Sequence, residues 1–148
     1  MGCLFIMKIE FKKGYILIIS TKLMDFCGIL GGVGKIAKGA AWFPFIFIRS
    51  KEFDVDWLII HERIHFRQQI ETLYIGSTII VLFEMLYAYF ILKKTWWDAY
   101  LWCSNEQEAY LNMHDKDYLK NRKLWSRFHY IKNKKDFILT GPGQITFK

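Results

Sequence analysis

Apolar residues near the amino terminus follow the two-residue period of β-strands. Residues 7–21, MKIEFKKGYILIIST, predict one or two strands with a break near Gly14. Within 40–50, AAWFPFIFIRS, phenylalanine recurs at every second position, so both faces of a third strand are apolar. Because Pro44 has no backbone N–H to donate to a neighbour, it is predicted to stand in an edge strand, where an extended peptide can add, or at the start of a strand.

A helical pattern follows these strands. Asp54 or Asp56 can cap a helix that begins at about residue 57. The first helix-breaking residue after that point is Gly76. The helix is therefore predicted to continue straight into the apolar segment 72–92, TLYIGSTIIVLFEMLYAYFIL.

Two capping signatures predict further helices. Thr95 with Asp98 resembles a capping box, and Ser104 with Gln107 repeats the signature. The second of these helices would cover 105–120, NEQEAYLNMHDKDYLK. The chain then ends in FILTGPGQITFK, which predicts a short strand, a Gly-Pro-Gly turn and a loose end. Together these elements predict an α+β fold with a small N-terminal sheet followed by helices.

Two interpretations of 72–92 stay open. A run of about twenty mostly apolar residues, directly followed by two lysines, can cross or lie on a bilayer. Glu84 lies in its interior, where a carboxylate is costly in lipid unless it is neutral, paired or facing protein. Arg63, Arg67 or a tyrosine hydroxyl would then be its partner. The alternative is a core helix of a soluble domain.

Composition and charge narrow the class of protein. With 148 residues, 53% of them apolar, 1–148 can form one domain with a core. Three widely spaced cysteines argue for a reducing compartment, cytoplasmic or membrane-associated, and 1–20 makes a poor cleavable signal peptide. The net charge is +7, and the basic segment 116–135 could meet nucleic acid or an anionic membrane, or form a solvated helix face. No nucleic-acid motif accompanies it, so nucleic-acid binding is not expected.

The stretch HERIH places two histidines four residues apart, with a glutamate directly after the first. On a helix, His61 and His65 lie on one face and can both reach one ion. Zinc accepts neutral imidazole, and a catalytic zinc site keeps one position for water. Glu62 is placed to act as general base on that water. The alternative is a polar helix face with solvated histidines.

A catalytic zinc site needs a third protein ligand. The best candidate lies in NEQEAY, where Glu106 falls in the first turn of a predicted helix. Ala109 leaves room for that helix to pack closely on another, and Glu108 is the fallback ligand. We therefore predict Zn²⁺ as the cofactor.

HERIH followed about forty residues later by EQEAY resembles the gluzincin metallopeptidases, most closely small forms related to the membrane-associated HtpX-like and BlaR-like zinc peptidases. The stretch 40–113 also looks like small bacterial and phage proteins with the same order of elements. The resemblance implies a zincin-like fold in which 43–49 lines the cleft and pairs with substrate. It also implies that Glu106 is the third ligand. Tyr110 stands where the family has an aspartate that supports a ligand histidine, so that support must come from another group.

The function implied is hydrolysis of a peptide or protein substrate, with Glu62 as general base. Peptide hydrolysis also needs a donor to the oxyanion. Tyr110 is the residue that we assign to this role, with Tyr100 and His114 as further candidates. Gln68 shares the face of the two histidines and is a candidate to line the site. The alternative function is a non-catalytic zinc-binding or membrane-associated accessory protein.

Overall fold

The computed structural model describes residues 7–30, 38–50, 55–141 and 143–147. Over these ranges the chain has an α+β fold with a mixed four-stranded sheet, a separate two-stranded sheet and seven helices. The strands are β1 (Lys8–Lys12), β2 (Tyr15–Ile19), β3 (Gly39–Trp42), β4 (Phe45–Ile48), β5 (Phe137–Gly141) and β6 (Gln144–Phe147). The helices are α1 (Thr21–Leu30), α2 (Asp56–Glu71), α3 (Ile75–Phe90), α4 (Trp96–Trp102), α5 (Ser104–Asn112), α6 (Tyr118–Asn121) and α7 (Arg127–Lys132).

The larger sheet has the strand order β1-β2-β4-β3. The predicted break near Gly14 is confirmed, because β1 and β2 form an antiparallel hairpin around it. Of the two positions predicted for Pro44, the start of a strand is confirmed, since β4 begins directly after it, and the edge strand is wrong. Strand β4 pairs in parallel with β2 and antiparallel with β3, so the edge strands are β1 and β3. Pro44 precedes the ladder of β4, where its missing N–H removes no bond, and its carbonyl accepts from the Ile16 N–H at 2.8 Å.

Helix α2 packs across this sheet. Leu17, Ile46 and Ile48 form a buried cluster with Leu58 and Phe66 of α2, and each of the five is at most 7% exposed. Burial of one such side chain contributes about 1.5–3 kcal/mol relative to its exposure. This cluster holds α2, and with it the HERIH turn, against the sheet.

The predicted continuous helix through 72–92 is wrong. Helices α2 and α3 are separate, and their directions differ by 108°. Leu73 and Tyr74 have φ values of 51° and 61°, and the Tyr74 N–H donates to the Gln69 carbonyl at 2.7 Å, which ends the helix without a glycine. Within the described ranges, no single helix is long and apolar enough to cross a bilayer, although the bent α2–α3 pair together meets that length and composition.

The capping predictions have mixed outcomes. Thr95 caps α4 as predicted, accepting from the Asp98 N–H at 3.1 Å. The second capping box does not form, because Ser104 donates to Glu84 and the Gln107 amide donates to backbone carbonyls. Helix α5 ends at Asn112, so the predicted end near 120 is wrong. Helix α2 begins at Asp56 without a side-chain cap, and Asp54 lies outside the described residues.

Glu84 faces the protein from α3, and its predicted arginine and tyrosine partners are wrong. Its carboxylate accepts from the Ser104 N–H at 3.0 Å and the Ser104 hydroxyl at 2.7 Å. Lys134 lies 2.5 Å and Arg127 3.5 Å from the same carboxylate. The two charged partners of Glu84 therefore come from the basic segment 116–135, which the fold brings to the inner side of α3.

The end of the chain is an ordered hairpin of β5 and β6, where a loose end had been predicted. Its turn residue Gly143 has φ 68°, and a Cβ there would collide with the indole ring of Trp57. His114 Nε2 lies 2.7 Å from the Gly143 carbonyl. These contacts fix the hairpin against the start of α2.

Candidate metal centre

Helices α2 and α5 pack against each other and bring the two predicted motifs together. His61 and His65 face Glu106 across this contact, and Ala109 on α5 is completely buried. One oxygen or nitrogen atom from each of these three residues lies within 4.8 Å of the other two. This is the ligand set that the spacing and the resemblance predicted.

The distances within the cluster match those around one zinc ion. His61 Nε2 and His65 Nε2 are 3.1 Å apart, His61 Nε2 lies 3.4 Å from Glu106 Oε2, and His65 Nε2 lies 3.3 Å from Glu106 Oε1. Ligands held tetrahedrally at about 2.0–2.1 Å from zinc are roughly 3.3–3.4 Å apart. Each imidazole therefore faces one carboxylate oxygen at the separation of two ligands on one ion.

The hydrogen bonding of the cluster also fits a cation. Glu106 Oε2 is buried and has no hydrogen-bond partner among the described residues. Beside it, the Nε2 atoms of His61 and His65 face each other, and one proton shared between these two nitrogens would leave the Glu106 oxygen without a partner. A divalent cation would engage all three donor atoms at once.

Burial and the neighbouring carboxylates act in opposite directions on the two imidazoles. Burial lowers the pKa of His65, which favours the neutral form that binds metal, whereas at His61 burial is outweighed by Glu106 and Glu62 and the pKa is raised. Burial alone would raise the pKa of Glu106, but the neighbouring His65 and His61 and the Tyr100 hydroxyl outweigh it and the pKa is lowered. The glutamate is therefore held as a carboxylate.

Gln68 orients His65 from behind. Its Oε1 lies 2.9 Å from His65 Nδ1, so the His65 N–H donates there and Nε2 keeps its lone pair for a cation. The Gln68 amide nitrogen donates to Glu108 at 2.8 Å and to the Asn105 carbonyl at 3.2 Å, which fixes which end of the amide faces His65. The prediction that Gln68 lines the site is confirmed.

Glu108, the fallback ligand, binds protein groups elsewhere. Its carboxylate lies 2.5 Å from the Arg122 guanidinium and accepts from the Tyr118 hydroxyl at 2.9 Å. Arg122 also pairs with Glu71 of α2, and all three charged side chains are buried. Sequence reasoning missed this network, because Arg122 lies in a lysine-rich run that predicts solvated charges.

His61 lacks an equivalent of Gln68. Its Nδ1 is buried without a hydrogen-bond partner among the described residues, and the Tyr110 ring lies against it with a centroid distance of 4.6 Å. Tyr110 stands where an aspartate was expected from the resemblance. Tyr110 thus makes a packing contact with His61 where the resemblance would place a hydrogen bond from an aspartate.

Glu62 lies between the ligand cluster and the edge strand β3. It is 3% exposed, and burial raises the pKa of its carboxyl to about 7, with Glu106 adding to the rise and His61 opposing it. At the nearest point of β3, a Cβ on Gly39 would collide with the Glu62 carboxylate and with Leu58. Only glycine at this position allows the strand to approach the general-base candidate so closely.

These residues line a cavity of about 700 Å³. Its lining includes Gly39–Ala41 of β3, Leu139 and Thr140 of the hairpin, and Val81 and Trp97. The strand at the cleft is therefore β3, and the prediction that 43–49 lines it is wrong.

Gln69 occupies part of the β3 edge. Its amide nitrogen donates to the Ala41 carbonyl at 2.8 Å, and its Oε1 accepts from the Phe43 N–H at 3.2 Å. Strand β3 pairs with β4 on its other side. Gln69 therefore occupies a backbone acceptor and a backbone donor that an added strand would otherwise use. The edge next to Glu62, at Gly39, is the part that Gln69 does not cover.

The three oxyanion candidates separate in space. Tyr110 and Tyr100 line the cavity, whereas His114 is exposed and bonds to the hairpin. Burial raises the pKa of the Tyr110 and Tyr100 hydroxyls, so both stay protonated and can donate. The Tyr100 hydroxyl is close enough to Glu106 to help lower the pKa of that carboxyl, so Tyr110 is the better candidate donor to a substrate.

Comparisons with protein-family models, with curated proteins and with solved structures find no match for this chain. The function is therefore argued from the geometry of the site.

Proposed function

We propose that this protein is a zinc-dependent metallopeptidase with a zincin-like site of the gluzincin type. One observation carries the proposal. His61, His65 and Glu106 present their donor atoms 3.1–3.4 Å apart in a cavity that also holds Glu62. Three protein ligands with an adjacent carboxylate and open space match the ligand count of a catalytic zinc site.

The residues divide the chemistry among them. Bound zinc would supply a Lewis acid that polarises the scissile carbonyl and acidifies the attacking water. Glu62 takes the proton of that water and passes it to the leaving amine, a role that suits a carboxyl whose pKa is raised to about 7 by burial. The Tyr110 hydroxyl donates to the oxygen of the carbonyl that is attacked.

The shape of the cavity favours an extended peptide as substrate. The part of the β3 edge that Gln69 leaves free, at Gly39, lies beside Glu62, so a chain pairing with it would pass the metal centre. The hairpin residues Leu139 and Thr140 line the same cavity. An unstructured protein segment is therefore the substrate that this cavity favours.

Zinc content and cleavage of an unstructured protein such as casein test the proposal together. The purified protein should hold one zinc and cleave casein, whereas Glu62→Gln should hold zinc and lose cleavage, because Gln68, the ligands and their packing are unchanged. Glu10→Gln is the matched control, since this glutamate lies on β1 with two lysine partners. It should cleave like the native protein.

Two outcomes would contradict the proposal. A native protein that holds zinc but cleaves nothing would favour the non-catalytic zinc-binding alternative. A native protein without zinc, or a Glu62→Gln variant with full cleavage, would remove the enzyme interpretation.

A further inference from the structure

Helix α3 has its polar and apolar sides reversed relative to a helix of a soluble domain. Ser77 is buried and Glu84 faces the protein, where Arg127 bonds to both. The opposite side, which we call the outer face, consists of large apolar side chains between 37% and 73% exposed. They are Ile75, Ile79, Leu82, Phe83, Leu86 and Phe90.

The outer face is part of a continuous apolar surface and not a single exposed side chain. It continues at both ends, with Leu73 81% and Ile91 64% exposed, and Trp96 follows at the start of α4. Soluble monomers rarely leave a continuous apolar patch of this kind without a partner. The exposed Tyr87 and Tyr89 add the amphipathic rings that prefer a membrane–water interface.

The charges around α3 indicate the kind of partner. The basic segment 116–135 is tied to the inner side of α3 through Arg127 and Lys134, both bound to Glu84. Its other lysines are exposed at the surface, together with Trp125 and Phe128. Their positions are 116, 120, 123, 132 and 135. An anionic surface complements this charge, whereas a second copy of a chain with net charge +7 is repelled.

We propose that the outer face of α3 docks into the interface of a bilayer containing anionic lipids. The helix lies in the membrane plane, because its other side is covered by protein at Ser77, Met85 and Ala88. The apolar side chains enter the headgroup–acyl boundary, the exposed Lys93 directly after α3 contacts lipid phosphates, and the net positive charge of the chain draws it to the anionic surface. This surface contains no residue of the metal centre, so the inference does not depend on the proposed function.

Cosedimentation with lipid vesicles tests this inference. The full chain should bind vesicles of phosphatidylcholine and phosphatidylglycerol mixed at about 7 to 3, and bind pure phosphatidylcholine more weakly. Phe83→Glu should lower the partition coefficient about tenfold or more, because it places a charge in the apolar boundary. Phe11→Glu is the matched control, since Phe11 is 82% exposed against 68% for Phe83 but lies on β1, and it should bind like the native protein.

Circular dichroism should show that both variants keep the native helix content, since both positions are at the surface. Chelation of zinc should leave vesicle binding unchanged, which separates this result from a failure of the metal site. The inference is overturned if the native chain does not bind the anionic vesicles, or if Phe83→Glu and Phe11→Glu bind alike. A dimer that Phe83→Glu dissociates, without vesicle binding by the native chain, would assign the outer face to a second copy.

Discussion

His65 is held by a chain of buried hydrogen bonds that begins two helices away. Arg122 binds Glu108, Glu108 accepts from Gln68, and Gln68 accepts from His65 Nδ1. Each bond fixes the direction of the next, so the tautomer of His65 depends on residues that do not face the cavity. The affinity of the proposed site for zinc would therefore be set partly outside the ligand set.

At the residue scale we predict that Gln68→Ala lowers zinc affinity about 10- to 100-fold, because His65 loses the acceptor that orients its ring. Competition with a chromophoric chelator measures this affinity. Gln69→Ala is the matched control on the neighbouring position, since Gln69 bonds to β3 and not to a ligand. Equal affinities in the two variants would show that Gln68 does not position His65.

At the scale of elements, the edge strand β3 and helix α2 meet at a contact that tolerates no side chain. Gly39 lies where a Cβ would collide with Glu62 and Leu58, so strand and general-base candidate fix each other's position. The close approach of β3 to Glu62 depends on Gly39, and the pairing of β3 with β4 fixes the direction of the strand.

We predict that Gly39→Ala reduces casein cleavage about 10- to 100-fold. The added methyl group displaces Glu62 or β3, and even a small displacement of a reacting group slows the reaction. Zinc content should stay at the native level, since the ligands come from α2 and α5. Parallel measurements of metal and cleavage separate the two effects. Native cleavage by this variant would mean that Glu62 moves freely.

Some elements were predictable and others were not, for reasons of local chemistry. The Thr95–Asp98 cap forms because both partners belong to the same turn. Ser104 carries the same signature but bonds to Glu84, twenty residues earlier in the chain. No glycine or proline at Leu73 and Tyr74 predicts the break between α2 and α3. The helix ends there because packing of α3 against α4 and α5 competes with local helix propensity.

At the scale of the whole molecule, the metal centre joins two helices whose ligands are about forty residues apart in the chain. We predict that zinc stabilises the fold by about 4 kcal/mol when free zinc exceeds its dissociation constant a thousandfold. Urea denaturation with and without a chelator measures this difference.

Glu106→Ala should abolish the response to chelator, because it removes the α5 ligand. His114→Ala should keep it, since His114 bonds to the hairpin. A native protein that unfolds at the same urea concentration with and without chelator would show that no ion joins α2 to α5.

The sequence alone determined the features that depend on neighbours within one turn or one strand: the hairpin at Gly14, the helix that carries His61 and His65, and the placement of Glu106 in a first turn. Tertiary structure decided which glutamate faces the histidines, because Arg122 draws Glu108 away. It also decided that β3 is an edge strand, and that the polar side of α3 faces inward. Each of these depends on groups distant in the chain, whose competition for hydrogen bonds and buried space no local pattern records.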